Sequence, residues 1–168
     1  LQAIREGKVA AVLLAGGQGT RLGFDKPKGM YNIGVTRELY IFECLINNVM
    51  EIVKKAGAWI PFYIMTSDKN YDDTTAFLKE KNYFGYNAEY IHFFKQEMAP
   101  SVDYNGKLLM EAPDRLSLSP NGNGGWFSSL CRYGYDKQMK EAGVEWLTAF
   151  AVSCVFNTSS KDQSIPSI

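Results

Sequence analysis

A glycine-rich stretch that directly follows a short apolar run is the feature that most constrains the fold of this chain. The run occupies residues 9–14 (VAAVLL), and glycines follow at positions 16, 17 and 19. A run this short, with β-branched valines, is typical of a buried strand in a parallel sheet rather than of a helix. Open α/β sheets bind ligands at the carboxyl ends of their strands, so the glycine-rich loop lies where we expect a binding site.

The composition of the loop favours an anion as its ligand. Gly16, Gly17 and Gly19 carry no Cβ, so the backbone N–H groups can approach a phosphate closely. Arg21 adds a planar, permanently charged fork that suits bidentate contact with phosphate oxygens, and Lys28 adds a compact point charge. The stretch therefore predicts a phosphate-binding loop, with a purely structural turn after a strand as the alternative.

Two familiar phosphate-binding motifs do not fit this loop. The dinucleotide fingerprint needs a glycine where this chain has Leu22, and the Walker motif needs a Gly-Lys-Ser/Thr sequence that is missing here. A dinucleotide-binding oxidoreductase would also carry an acidic residue at a strand end about twenty residues beyond the loop. Glu38 has that spacing, but it precedes a predicted helix, so the pattern disfavours this class.

Residues 14–23 (LAGGQGTRLG) and 27–31 (PKGMY) together resemble the signature of the UDP-sugar pyrophosphorylases. The resemblance is closest to the UDP-N-acetylhexosamine pyrophosphorylase branch, whose members are uridylyltransferases that join UTP to a sugar 1-phosphate. It implies an α/β, three-layer, Rossmann-like (GT-A-like) nucleotidyltransferase domain with a mostly parallel sheet. The similarity covers nearly all of residues 8–152 but less than half of a usual member. We therefore expect a partial nucleotide-binding catalytic domain over residues 1–156 and a polar tail over 157–168, and the start at Leu1 rather than Met is typical of a fragment.

Two further segments resemble landmarks of the same family. Residues 95–100 (KQEMAP) follow a predicted strand, and the resemblance assigns Gln96 to the uracil edge, which an amide can match because it both donates and accepts. Residues 116–126 (LSLSPNGNGGW) form a second glycine-rich loop before a helix, where the resemblance puts Gly122 near the base and Asn123 on the substrate. A solvent-facing glutamine and a plain surface loop are the alternatives.

The resemblance also implies a role for each residue of the first loop. Leu14, Ala15, Gly16 and Gly17 would bind the nucleotide, Arg21 would hold the β- and γ-phosphates of UTP, and Lys28 would hold the α-phosphate in the transition state. The reaction would be an in-line attack of a sugar 1-phosphate oxygen on the α-phosphorus, with pyrophosphate leaving.

The metal site that the resemblance implies is altered in this sequence. Family members are expected to use Mg²⁺ and to carry a Val-Asp-Asn segment whose aspartate is a metal ligand. This chain has Val152-Ser153-Cys154 instead, and the hydroxyl of Ser153 is a poor ligand for Mg²⁺, which prefers anionic oxygen. A UTP- or UDP-sugar-binding domain that is truncated and catalytically impaired is therefore the alternative function.

The remaining pattern predicts alternating strands and helices, which is the rhythm of a parallel α/β sheet. An Asn105-Gly106 pair predicts a hairpin that leaves the main sheet. The predicted helices cover residues 38–57, a segment from about Asp72 to Lys81, a segment after Trp126 that includes Ser128 to Cys131, and residues 135–142; the predicted strands cover 60–65, 91–94 and 144–152.

The overall composition excludes several other functions. Lys plus Arg and Asp plus Glu both number 18, so the net charge is zero and gives no reason to expect a nucleic acid or an anionic membrane as partner. No apolar run is long enough to span a membrane. Cys44, Cys131 and Cys154 lack paired spacing and predict reduced, buried thiols, as in a cytoplasmic protein. His92 is the only histidine and lies in an apolar strand pattern, so we expect it to be structural.

Overall fold

A computed structural model of the protein describes residues 1–121 and 123–152, without the side chains of residues 120 and 123. Its elements alternate between strands and helices as the sequence pattern predicts. In chain order they are α1 (Gln2–Arg5), β1 (Val9–Leu14), α2 (Ile41–Ala56), β2 (Phe62–Thr66), α3 (Tyr71–Glu80), β3 (Ile91–Lys95), β4 (Met98–Pro100), β5 (Met110–Ala112), β6 (Arg115–Leu116), β7 (Leu118–Pro120), α4 (Trp126–Arg132), α5 (Tyr135–Glu141) and β8 (Trp146–Ala151).

Four parallel strands form the central sheet, in the order β3-β2-β1-β8. Leu14 at the end of β1 pairs with Met65 of β2 and with Ala151 of β8, and Thr66 at the end of β2 pairs with Lys95 of β3. The carboxyl ends of all four strands therefore lie along one edge. β1 and β2 are buried almost throughout, as expected for parallel strands that are covered on both faces.

Helices cover both faces of the sheet. Alternate residues of β1 point to opposite faces, and Ala11 and Leu13 belong to the core that packs against α2 and α3. Ala10 and Val12 belong to a second core that contains Leu130 of α4 and Met139 of α5. The α/β fold with three layers and a parallel sheet is thus confirmed.

The longest helix, α2, follows the predicted pattern but begins later. It starts at Ile41 rather than at Glu38, because residues 32–40 form a closed loop instead. In that loop the side-chain oxygen of Asn32 accepts hydrogen bonds from the N–H groups of Gly34 (2.9 Å) and Leu39 (3.0 Å). This local pairing satisfies backbone groups outside a helix and delays the helix start.

Most remaining predicted elements are present with small shifts. β2 begins at Phe62, directly after Pro61, whose nitrogen cannot donate to the sheet but whose carbonyl accepts from Ala11 N–H (2.9 Å). The predicted hairpin turn is confirmed: the Asp103 carboxylate accepts from the N–H of Asn105 (2.8 Å), and Gly106 has a φ of 80°. The strands on either side of this turn form small antiparallel pairs, β4 with β7 and β5 with β6, off the main sheet.

His92 packs against an aromatic ring, and the cysteines in the described part of the chain are free thiols. The His92 ring stacks on Tyr63 at 4.8 Å between centroids, and burial lowers the pKa of the imidazole. Cys44 and Cys131 are free thiols, as predicted, but they are only partly buried, and Cys154 and the predicted tail at 157–168 lie outside the described residues. Over residues 1–121 and 123–152, no helix has the length and apolar character needed to cross a bilayer.

Candidate functional site

The loop that follows β1 is tied back onto itself by backbone hydrogen bonds. The N–H of Gly19 donates to the carbonyl of Lys26 (2.9 Å), and the N–H of Lys28 donates to the carbonyl of Gly17 (3.2 Å). Between these bonds, Gln18 and Pro27 form an isolated antiparallel bridge. The loop therefore returns to its starting point and brings Lys28 alongside the glycines.

Two adjacent glycines have opposite surroundings. A Cβ at Gly16 would lie 2.6 Å from Nε2 and 2.8 Å from Cδ of Gln96, so the Gln96 amide packs directly on the Gly16 backbone. A Cβ at Gly17 would meet no atom of a described residue within 4 Å, and Gly17 is exposed. Gly16 and the Gln96 amide thus lie in contact and form one surface, the Gly16–Gln96 surface, whereas the open side of Gly17 lets a ligand approach the backbone.

The two predicted cations lie in short 3₁₀ turns of the same loop. Arg21 is exposed in the turn Thr20–Leu22, and Lys28 is partly buried at the start of the turn Lys28–Met30. Neither side chain forms a salt bridge with any residue that the structure describes. Both positive charges are therefore available to an anionic ligand.

Gln96 is held by its backbone and leaves its side-chain amide available. Its N–H donates to the carbonyl of Thr66 (2.7 Å), which fixes it at the end of β3 beside β2. The residue is 8 % exposed, and its amide forms no hydrogen bond with another described residue. A side-chain amide without a protein partner can pair with a ligand group that both donates and accepts, so Gln96 is suited to such a ligand.

The segment that precedes α4 is fastened next to Gln96 through Glu97. The N–H of Glu97 donates to Oγ of Ser129 (3.0 Å), the Glu97 carboxylate contacts Nε of Arg132 (2.9 Å), and the Glu97 carbonyl accepts from the N–H of Asn121 (3.2 Å). These bonds bring the start of the second glycine-rich segment close to Gln96.

The structure thus brings together most, but not all, of the predicted site. Leu14 ends β1, and the buried Ala15 directly precedes Gly16, so both help to position the Gly16–Gln96 surface. Asn123 begins a 3₁₀ turn that continues to Gly125. Gly122 lies outside the described residues, as does the side chain of Asn123, so their roles in substrate binding stay predictions.

One residue of this region was missed by the sequence analysis. Asn70 lies just before α3, and its fully buried amide joins the carbonyl of Ala15 to the N–H of Ser67. A buried asparagine is a signal only once its exposure is known, because in the sequence it resembles an ordinary residue before a helix.

The described residues do not form the metal site that the resemblance implies. They contain no group of three or more His, Cys, Asp or Glu side chains that could hold an ion, and Ser153 lies outside them. Mg²⁺ prefers hard carboxylate oxygens, and no step proposed below depends on the ion.

A parallel sheet that carries a glycine-rich loop and two further segments at its carboxyl edge defines a Rossmann-like α/β protein, the class in which ligands bind at that edge. The family model described as UTP–glucose-1-phosphate uridylyltransferase matches residues 2–165. The chain belongs to this family of uridylyltransferases.

Individual relatives agree with the family match. The chain is 40 % identical over 165 residues to a UDP-N-acetylglucosamine pyrophosphorylase of Saccharomyces cerevisiae, a match that covers 96 % of this chain and 34 % of the yeast protein. It also resembles the crystal structure of the UDP-N-acetylglucosamine pyrophosphorylase from Trypanosoma brucei in complex with an inhibitor, with 30 % identity, a TM-score of 0.83, and coverage of 92 % of this chain and 33 % of that one.

A more distant structure shares the fold. A point mutant of UDP-glucose pyrophosphorylase from Leishmania major, solved in complex with UDP-glucose, is 16 % identical with a TM-score of 0.71, and the match covers 89 % of this chain and 31 % of that one. These matches confirm the predicted nucleotidyltransferase fold. The chain spans about a third of the length of the relatives it matches.

Proposed function

We propose that this chain binds UTP as part of a uridylyltransferase that forms a UDP-sugar and pyrophosphate from UTP and a sugar 1-phosphate. The sugar would be an N-acetylhexosamine or glucose, because the family and the similar proteins carry these names. The observation that carries the proposal is the contact between the Gly16 backbone and the Gln96 amide, which has no hydrogen-bond partner among the residues that the structure describes.

The base would lie on the Gly16–Gln96 surface, with its polar edge at the Gln96 amide. A uracil presents an N–H donor between two carbonyl acceptors, and the Gln96 amide offers both a donor and an acceptor on one rigid plane. A cytosine presents an amino group where uracil has a carbonyl, so the amide orientation that matches uracil would leave polar groups unpaired against cytosine. That mismatch supports discrimination for uridine over cytidine nucleotides.

The triphosphate would extend from the Gly16–Gln96 surface over the open side of Gly17. Backbone N–H groups there can approach phosphate oxygens, Arg21 would hold the β- and γ-phosphates, and Lys28 would contact the α-phosphate. An oxygen of the sugar 1-phosphate would attack the α-phosphorus, and the bond to the bridging oxygen of the β-phosphate would break, releasing pyrophosphate. The protein forms no covalent bond in this reaction, so its contribution is to position two polyanions and to neutralise the developing charge.

Mg²⁺ remains part of this proposal through the family alone. Its usual aspartate position corresponds to Ser153 in the sequence, which favours a second candidate function for this chain. In that alternative the chain binds UTP or a UDP-sugar without turnover.

Two measurements on the purified chain test the proposal. Isothermal titration calorimetry with UTP and CTP measures base-selective binding, and release of pyrophosphate measures turnover with Mg²⁺ and each sugar 1-phosphate. We expect UTP to bind more tightly than CTP, and Arg21→Ala to weaken the binding of UTP whereas Lys107→Ala, in the exposed hairpin turn, does not. UTP binding without pyrophosphate release would favour the binding domain, and equal or absent binding of UTP and CTP would overturn both functions.

A further inference from the structure

Asn70 connects the carboxyl ends of two neighbouring strands through a single side chain. Its Nδ2 donates to the carbonyl of Ala15 at 3.1 Å, and its Oδ1 accepts from the N–H of Ser67 at 2.7 Å. Ala15 begins the loop after β1 and Ser67 directly follows β2. Asn70 is 0 % exposed, so both bonds are shielded from water and breaking them would leave buried polar groups unpaired.

Ala15, which precedes Gly16, and Gln96 are both hydrogen-bonded to the end of β2. The Ala15 N–H donates to the carbonyl of Met65 (2.8 Å), and the Gln96 N–H donates to the carbonyl of Thr66 (2.7 Å). Together with Asn70, these bonds fix the peptide before Gly16 on one side and the backbone of Gln96 on the other. Among them, the bond from Asn70 is the one that a side-chain substitution can remove.

We propose that Asn70 is a positioning residue that keeps Gly16 in contact with the Gln96 amide and thereby supports the selection of uracil. This inference rests on the proposed function, in which the uracil base lies on the Gly16–Gln96 surface. Asn70 would not touch the nucleotide; it would act through Ala15 and Gly16. Since Gly16 and the Gln96 amide are in contact, a small shift of the backbone moves the surface on which the base would lie, and displacements of about 1 Å can cost about 10²-fold.

A purely structural role for Asn70 makes a different prediction. In that case substitution would lower the stability of the whole domain but would leave the Gly16–Gln96 contact and the ratio of UTP to CTP affinity unchanged. Thr74→Val is the matched control, because Thr74 is also 0 % exposed in α3, and its hydroxyl oxygen has no partner in the part of the chain that the structure describes.

Two variants of Asn70 separate its two hydrogen bonds. Asn70→Ala removes both, whereas Asn70→Asp keeps an acceptor for Ser67 N–H but replaces the donor to Ala15 with an oxygen. Each variant is first melted, and all binding is measured well below its melting temperature. If Asn70→Ala does not fold, Asn70→Asp decides the question alone.

The first measurement uses no nucleotide. In NMR spectra of the isotope-labelled chain, we expect a nuclear Overhauser effect between the Gly16 α-protons and the Gln96 side-chain amide protons. It should be present in the wild type and in Thr74→Val, and lost or much weakened in both Asn70 variants. A folded Asn70 variant that keeps this signal at full strength would overturn the positioning role.

The second measurement is calorimetry with UTP and CTP. We expect the ratio of the two affinities to fall by about tenfold in the Asn70 variants, as for a modest displacement of the site, and to be unchanged in Thr74→Val. An unchanged ratio in a folded Asn70 variant would overturn the role in base selection. If the wild type shows the Gly16–Gln96 signal but binds neither nucleotide, the proposed function fails, and loss of the signal in the variants still supports the positioning role.

Discussion

The ring of Phe42 lies directly against the Cα of Gly29, so that a methyl group at this position would overlap the ring. Phe42 is a fully buried residue of α2, and Gly29 follows Lys28 in its 3₁₀ turn. The contact therefore anchors the far end of the phosphate-binding loop on the main hydrophobic core.

Gly29→Ala should destabilise the domain for this reason. Inserting a methyl group into a packed core costs about 1–3 kcal/mol, and we expect a loss of that size in the free energy of unfolding measured with urea. Gly17→Ala is the matched control, because the added Cβ meets no atom within 4 Å. Equal stability of the Gly29 variant and the wild type would contradict the packing described here.

Lys28→Ala should lower turnover far more than UTP affinity. The lysine N–H, not its side chain, closes the loop onto Gly17, so alanine keeps the loop and removes only the charge. Charge on the α-phosphate grows toward the transition state, and loss of one such contact typically lowers kcat by about 10²- to 10³-fold. The measurements are kcat for pyrophosphate release and KM for UTP, made on a form of the protein that shows turnover. A rise in KM with unchanged kcat would show that the charge acts in the ground state.

Gln96→Ala should relax base selection and leave phosphate chemistry nearly intact. The smaller side chain removes the only polar group that this proposal assigns to the uracil edge, while the backbone bond to Thr66 is unaffected. We expect the affinities for UTP and CTP to converge in calorimetric titrations. A variant that loses affinity for both nucleotides by the same factor would remove Gln96 from the base site.

The only histidine of the chain should make stability fall as the solution becomes acidic. Burial lowers the pKa of His92 below its ordinary value of 6.5, so the unfolded state binds the proton more readily than the folded state. The stabilisation is therefore present above the unfolded pKa and is lost as pH falls through the interval down to the folded pKa. Urea unfolding at several pH values between about 7.5 and 5 measures this slope.

His92→Phe is the control for the pH dependence. Phenylalanine can keep the stack on Tyr63 and cannot be protonated in this range. We expect the variant to lose most of the slope on the acidic side of neutrality. A slope equal to that of the wild type would assign the pH dependence to other groups.

Local patterns in the sequence predict the framework of this fold well. The apolar run 9–14 is β1 with unchanged bounds, and Gly57 ends α2 with a φ of 71° as its position after Lys54 and Lys55 suggests. Such features depend on neighbouring residues alone. Element bounds shift where a side chain competes with the backbone, as Asn32 does before α2.

The site was predictable only in its parts. The resemblance identifies Gly16 and Gln96 separately, but 80 positions separate them in the sequence, and their contact follows from the pairing of β1 with β2 and of β2 with β3. Asn70 has no local signal for its bond to Ala15, which is 55 positions away. Tertiary bonds of this kind become visible only once the strands are in place.

The backbone bond that joins Lys28 to Gly17 bears on the thermodynamics of ligand capture. A loop that is already closed in the free protein has lost its conformational freedom during folding, so little of that loss remains for the moment when an anion arrives. We therefore expect an anion to bind this loop without reordering its backbone, so that the heat released by new charge contacts is not offset by an ordering cost.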